Sequence, residues 1–390
     1  MRDVVIVSAV RTPIGKFLGG LSKLSAVDLG TIAAKEAIKR AGIEPGLIEE
    51  VTAGMVYKAG AKGNPARQIS ISAGIPVTAA ASTVDQQCAS GMRAFELASQ
   101  QIMLGKVDVG LAVGIESMSN VPHMLLGSRN GYRMGDVKVV DGLTHDALVC
   151  AIYGKHMGFT AQNLADKYGI SRQEQDELAA LSHERAVAAQ KEGKFDKEIV
   201  PVTIEGKKGT VVIDRDECPS EKSTVEVLSK LRAVFGETIT AGNASSVNDG
   251  AAAVILMSAD KASELGLKPV AKLLSTATAS VAPEIMGIGP VEAIPKALKY
   301  ADMNISDIDY FEINEAFAAQ FLACNRELKL SMDKVNRNGS GISLGHPVGC
   351  TGIRIIVSLI HEMERAGDKY GCASLCVGGG PAMATIIEKL

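Results

Sequence analysis

The chain has 390 residues, 46% hydrophobic and 22% charged, with a formal net charge of −3. That length exceeds what one hydrophobic core usually fills, so more than one unit is expected. The balance leaves no basic surplus for a nucleic-acid backbone, and no apolar run approaches the ~18 residues a bilayer span needs, so neither nucleic acid nor membrane is expected as a partner.

Residues 4–10 form an apolar run suited to a buried strand. It is too short for a signal-peptide core and lacks a cleavage-like site, so a cytoplasmic protein is expected. An amphipathic helix is predicted over 26–41, stopped by Gly42. A strand over 51–56, a helix over 91–104 and a strand over 109–114 follow. This alternation predicts an α/β protein whose mixed sheet is covered by helices. Residues 121–144 are polar, Gly-rich and Met-rich with weak periodicity. Loops this long are usually functional or touch a partner. A helix over 172–192 has Ser171 as its N-cap and Gly193 as its stop.

The opening pattern returns in the last third. Residues 37–43 align with 297–303, and without a gap Ile48 meets Ile308 and Val51 meets Phe311. Gly91-Met-Arg opens a predicted helix, as does Gly352-Ile-Arg, and the strands that follow end in Val113-Gly114 and Val377-Gly378. An offset of roughly 260 residues indicates a duplicated domain and not a solenoid. The expected division is a first half over 1–118 and 249–270, an insertion over 119–248, and a second half over 271–390.

Seven cysteines, an odd number without a secretory signal, argue against a disulfide framework. Cys372 and Cys376 are closest, but they lie in a predicted buried strand and lack a second Cys/His pair, so no metal is expected. Most of these thiols read as small buried hydrophobes.

Four segments carry candidate chemistry. Residues 85–93 place Cys88 where a strand meets a helix, and the helix dipole there is expected to lower the thiol pKa. The alternative is a buried cysteine at a strand end. Residues 338–349 put His346 on a Gly-rich turn before a helix, where a base can activate a thiol. Residues 374–380 end a strand at Cys376 and continue with three glycines, whose N–H groups can form an oxyanion hole or a tight turn. Residues 312–318 hold Asn314 at a strand end, where it can fix a water or cap a helix. Cys88 and His346 each precede the repeated Gly-x-Arg helix, so the duplicated halves can bring both to one cleft.

The blocks Cys88-Ala-Ser-Gly-Met-Arg-Ala, Asn314-Glu-Ala-Phe-Ala, Gly345-His-Pro-Val-Gly and Cys376-Val-Gly-Gly-Gly resemble the four signature blocks of the thiolase family. Residues 7–15 and 241–252 also match, and the resemblance is colinear from first strand to last. It implies a thiolase fold, with two duplicated βαβαβαββ-type halves, mixed sheets stacked in layers and an inserted loop domain. It implies an acyltransferase that reversibly condenses two acetyl-CoA into acetoacetyl-CoA and CoA through an acetyl-Cys88 intermediate. His346 would take the thiol proton and help hold a thioester oxygen. Cys376 would be the second acid/base, and Asn314 would act through a water. The N–H groups of Cys88 and Gly378 would form the other oxyanion hole.

CoA thioesters are then substrates, and no cofactor is implied. Ser245 matches a serine near the pantetheine arm. His156, Met157, Met286, Ala316 and Phe317 match pocket segments, and Met157 and Met286 also read as core. A homotetramer built through the 119–144 loop is implied. The segment His156-Met-Gly favours short chains over a 3-ketoacyl-CoA thiolase of fatty-acid degradation. A decarboxylating relative would use two His with one Cys, and a non-catalytic scaffold would not need four intact blocks. The chain departs from the family pattern at Ala89, where Gly is usual, at Pro381-Ala382, where Met-Gly is usual, and at Ser220, near the place of an Arg by the CoA phosphates. Lys222 and Lys207 stand nearby as replacements.

Overall fold

The computed structural model describes residues 1–206 and 209–390. Strand β1 (Val4–Arg11) is buried throughout: all but Ser8 and Arg11 are apolar, and Arg11 is paired with Glu198 and Asp216. Helix α1 (Ala26–Ala41) starts at Ser25, whose hydroxyl accepts from the Asp28 N–H, and stops at Gly42 with φ of 67°. Strand β2 (Glu50–Gly54), helix α2 (Pro65–Ser72), strand β3 (Ala80–Val84), helix α3 (Ser90–Met103) and strand β4 (Val109–Ser117) complete the first βα series.

The expected loop contains a small antiparallel pair, His123–Met124 with Val140–Asp141. Helices α4 (Met157–Tyr168) and α5 (Arg172–Lys191) follow, α5 with a capping box between Ser171 and Glu174. Strands β5 (Asn248–Ser258) and β6 (Ala271–Ser280) lead to helix α6 (Pro290–Tyr300), strand β7 (Tyr310–Ile313) and helix α7 (Ala318–Leu328). Helix α8 (Val348–Ala366) and strands β8 (Tyr370–Cys376) and β9 (Pro381–Lys389) close the chain.

The sheet order is β7-β8-β9-β6-β1-β5-β4-β2-β3. From β1 outward, β5 and β4 pair antiparallel and β2 and β3 parallel. From β6 outward, β9 and β8 pair antiparallel and β7 parallel. This is the duplication seen in hydrogen bonds, with Val51 on β2 and Phe311 on β7 in corresponding strands. The halves join edge to edge through two residue pairs, Val5 with Lys272 and Ile6 with Ala271.

Three helical layers sandwich the sheets. Helices α1 and α2 bury Leu29, Ala33 and Ile69 against Val51 and Leu111. Helices α6 and α7 bury Ile294, Leu298 and Phe321 against Phe311. Helices α3 and α8 fill the middle, where Met92, Phe95, Ile353 and Ile356 meet Leu256 of one half and Leu375 of the other. Each such large apolar side chain contributes ~1.5–3 kcal/mol by leaving water.

Of the two repeated glycines, Gly91 opens a helix as expected and Gly352 does not. Gly91 lies in the first turn of α3, whereas Gly352 lies inside α8, past its first turn. A Cβ on Gly352 would stand 2.3 Å from the Met92 nitrogen, and one on Gly91 would stand 2.8 Å from the Gly349 oxygen. They let the two central helices touch backbone to backbone. That contact brings the two helix starts, and the residues just before them, side by side.

Candidate active site

Cys88 lies two residues before α3, and His346 lies two residues before α8. Cys376 is the last residue of β8, and Asn314 follows the last residue of β7. Strand ends and helix starts therefore deliver all four groups to one side of the molecule. A cavity of about 350 Å³ opens there. Its walls include Cys88, His346, Cys376 and Gly378, together with Ser245, His156, Met157, Met286, Ala316 and Phe317. Asn314 sits behind this wall, fully buried, with its Nδ2 3.5 Å from the Nδ1 of His346.

The contacts of His346 bear on its tautomer. When Thr351 Oγ1 donates to the Pro347 carbonyl, 2.9 Å away, its one proton is used. In that arrangement the same oxygen, 2.6 Å from His346 Nδ1, accepts from an Nδ1–H. Nε2 is then a bare lone pair, buried and without a partner among the described residues. The Asn314 Oδ1 is likewise buried and unpartnered. Two orphaned polar atoms beside one cavity are the kind of feature a bound group satisfies. Burial, with a smaller push from the Arg354 charge, lowers the imidazole pKa to about 3, so the ring is neutral. Its backbone N–H donates to Asn248 Oδ1 at 2.9 Å, which pins the turn.

The Cys88 thiol does not have the depressed pKa expected from its place before a helix. Burial pushes it up to about 11, and the charges of Glu116 and Asp85 add to the rise. The N–H groups of Gly378 and of Cys88 itself act in the opposite direction. A helix terminus supplies about 0.3–1 kcal/mol, less than one pKa unit, and burial outweighs it. At neutral pH the thiol is therefore protonated. Cys376 is pushed well above the usual thiol range, mostly by burial and then by Cys88. Like charges close together disfavour two thiolates at once.

Several residues at the site carried no readable signal. Glu116, buried at the end of β4, accepts from the N–H groups of Val56, Tyr57 and Gly349 at 3.0, 3.3 and 2.9 Å. It ties the segment after β2 to the first turn of α8, and burial raises its carboxyl to about 7. Phe235 stacks on His156 with ring centroids 4.1 Å apart. His156 Nδ1 accepts from the Gly158 N–H at 3.1 Å, which leaves its proton on Nε2. Leu148, Val348 and Gln87 also line the cavity. A Glu near the end of an apolar strand could have drawn notice to Glu116, but nothing local marks Phe235 or Leu148.

The departures from the family pattern sit as follows. Ala89 is fully buried in the central core, and Ala382 in the core under α6 and α7. Ser220 lies outside the cavity wall, and its N–H donates to His183 Nδ1 at 3.3 Å. Lys222 does not reach the cavity, and Lys207 lies outside the described residues. Among the described residues, no helix is long and apolar enough to cross a membrane.

The chain matches the family model of the thiolase N-terminal domain over residues 4–260 and that of the thiolase C-terminal domain over 267–389. It is 50% identical over 390 residues to an acetyl-CoA acetyltransferase of Chromobacterium violaceum, covering 99% of this chain and 100% of the relative. An acetyl-CoA acetyltransferase of Cupriavidus necator is 49% identical over 392 residues, covering 100% of each chain. The solved acetyl-CoA acetyltransferase of Syntrophomonas wolfei superposes with a TM-score of 0.98 at 51% identity, covering 100% of each chain. Human mitochondrial 3-ketoacyl-CoA thiolase superposes with a TM-score of 0.97 at 40% identity, covering 100% of this chain and 99% of that one.

Proposed function

The chain belongs to the thiolase family, and from that premise we propose that it is an acetyl-CoA C-acetyltransferase, joining two acetyl-CoA reversibly into acetoacetyl-CoA and CoA. The observation that carries this reading is the bare Nε2 of His346 facing the same cavity as the thiols of Cys88 and Cys376.

In the first half-reaction Cys88 Sγ attacks the thioester carbon and gives its proton to His346 Nε2. The oxyanion is held by the N–H groups of Cys88 and Gly378, which already point at the thiol. The C–S bond to CoA breaks, and Cys376 protonates the departing thiolate. The site then holds acetyl-Cys88, an imidazolium and a Cys376 thiolate. Neither charge is favourable alone in this buried place, and each offsets the other.

In the second half-reaction the Cys376 thiolate removes an α-proton from a second acetyl-CoA. The His346 Nε2–H donates to the enolate oxygen, and Asn314 holds a water beside it. The enolate carbon attacks acetyl-Cys88 and releases acetoacetyl-CoA. The Cys88 thiolate takes its proton back from His346, which restores the starting state. Ser245 and His156 face the pantetheine arm, while Met157, Met286, Ala316 and Phe317 shape the acyl end.

The substrates are acetyl-CoA, acetoacetyl-CoA and CoA, and the chemistry uses protein groups alone. A reduced nucleophilic thiol among seven free cysteines suits the cytoplasm. Leu125, Leu126, Tyr132, Met134 and Val139 are exposed around the small hairpin between β4 and α4, and this apolar set supports a homotetramer assembled through that loop.

Mass spectrometry after mixing with acetyl-CoA tests the reading. We expect one acetyl adduct on Cys88, retained in Cys376→Ala, which no longer condenses. Thiolysis should favour acetoacetyl-CoA over 3-ketohexanoyl-CoA. An adduct elsewhere refutes the nucleophile, and a clear preference for the longer substrate moves the chain to 3-ketoacyl-CoA degradation.

A further inference from the structure

Gln87, the residue before the reactive cysteine, takes no part in the steps above. Its backbone is left-handed, with φ of 48°, although it is not glycine. That conformation is held on both sides: its N–H donates to Asp85 Oδ1 at 2.9 Å, and its carbonyl accepts from the Ser90 N–H at 2.9 Å and from the Ser90 hydroxyl. Non-glycine residues in this region are uncommon and strained, and they gather at functional sites. Gln87 lines the cavity. Its Oε1 lies 3.9 Å from where a Cβ on Gly378 would stand, next to the N–H groups that face the Cys88 thiol. Among the described residues, the hydrogen bonds of Gln87 are all made by its backbone. The carboxamide therefore reaches the cavity unpaired, in company with the apolar side chains of Met118, Leu148 and Val348.

We propose that Gln87 is a specificity-determining residue, whose carboxamide admits an acetyl group at Cys88 and rejects longer unsubstituted alkyl chains. This rests on the thiolase reading and names the acyl class it accepts. An acetyl group ends at one methyl and leaves the carboxamide in contact with water. Further methylenes displace that water and offer no hydrogen bond, so the buried amide is left without a partner. A longer chain that carries a hydroxyl or carbonyl restores the bond and is accepted again.

The test compares thiolysis kcat/KM for acetoacetyl-CoA and 3-ketohexanoyl-CoA in wild type and in Gln87→Leu. Leucine is as unbranched at Cβ as glutamine, so it adds no backbone strain of its own. We expect the ratio to move at least about tenfold toward 3-ketohexanoyl-CoA, the scale on which a mismatched polar contact discriminates. A ratio within twofold of wild type overturns the proposal. If melting curves show that Gln87→Leu does not fold, Gln87→Met repeats the test. A third arm uses the unmodified enzyme: 5-hydroxy-3-ketohexanoyl-CoA should be cleaved with higher kcat/KM than 3-ketohexanoyl-CoA, and equal values overturn the proposal. Failure of the wild type to cleave acetoacetyl-CoA at all would instead overturn the thiolase reading, so the two failures are distinguishable.

Discussion

Replacing Thr351 by valine removes one hydroxyl and keeps the side chain's shape. The hydroxyl does two things: it donates to the Pro347 carbonyl and accepts from His346 Nδ1. The carbonyl does not suffer, because it also accepts from the N–H groups of Cys350 and Thr351 at 2.9 and 3.0 Å. The imidazole does suffer, since its Nδ1–H loses its acceptor in a fully buried place. Leaving that donor unpaired costs about 1–3 kcal/mol. The ring can escape the cost by moving its proton to Nε2 and accepting from Asn314 Nδ2 at Nδ1. That shift makes the state with a bare Nε2 rarer, by about 5- to 150-fold on the same energy scale. We expect Thr351→Val to lower kcat for acetoacetyl-CoA thiolysis by a factor in that range, with KM little changed, and to slow iodoacetamide alkylation of Cys88 in parallel. Thr351→Ser, which keeps the oxygen, should recover most of the loss. A Thr351→Val enzyme with kcat within twofold of wild type would show that Nδ1 does not carry the proton and would remove the argument for Nε2 as the base.

Acid stability offers an independent check on His346. Its folded pKa of about 3 lies below the ordinary 6.5, so below pH 6.5 the unfolded chain binds a proton that the folded one refuses. Stability from this group is present above pH 6.5 and is lost as pH falls toward 3, amounting to about 2 kcal/mol at pH 5. In urea unfolding at pH 7.5 and pH 5, wild type should lose about 2 kcal/mol more than His346→Asn, whereas equal losses would contradict a buried neutral imidazole. For assembly, sedimentation should show a tetramer for wild type and smaller species for a variant with serine at positions 125, 126 and 134; a monomeric wild type would refute the loop's role.

The sequence alone was sufficient for the α/β class, the duplication and the four motif blocks. Those features are written locally. The buried strand of β1 shows as an apolar run, α1 shows by its periodicity and its Gly42 stop, and Cys88 and His346 sit in short Gly-containing segments between a strand or turn and a helix. The paired positions Val51 and Phe311 could be matched by offset because corresponding strands need similar residues at corresponding depths.

Electrostatics and contacts between distant segments were decided only by the tertiary structure. A helix start suggests a depressed thiol pKa, but how deeply Cys88 is buried depends on both halves closing over it, and burial outweighs the dipole. Glu116 acts on Gly349, far along the chain, so no local pattern reveals the bond. Phe235 meets His156, and Thr351 fixes the tautomer of His346, through contacts that exist once the helices are packed. Local sequence therefore determined which groups are available, because strand, helix and turn preferences act over a few residues. Tertiary packing determined what those groups do, because a proton's position depends on every charge, dipole and apolar surface the fold brings beside it.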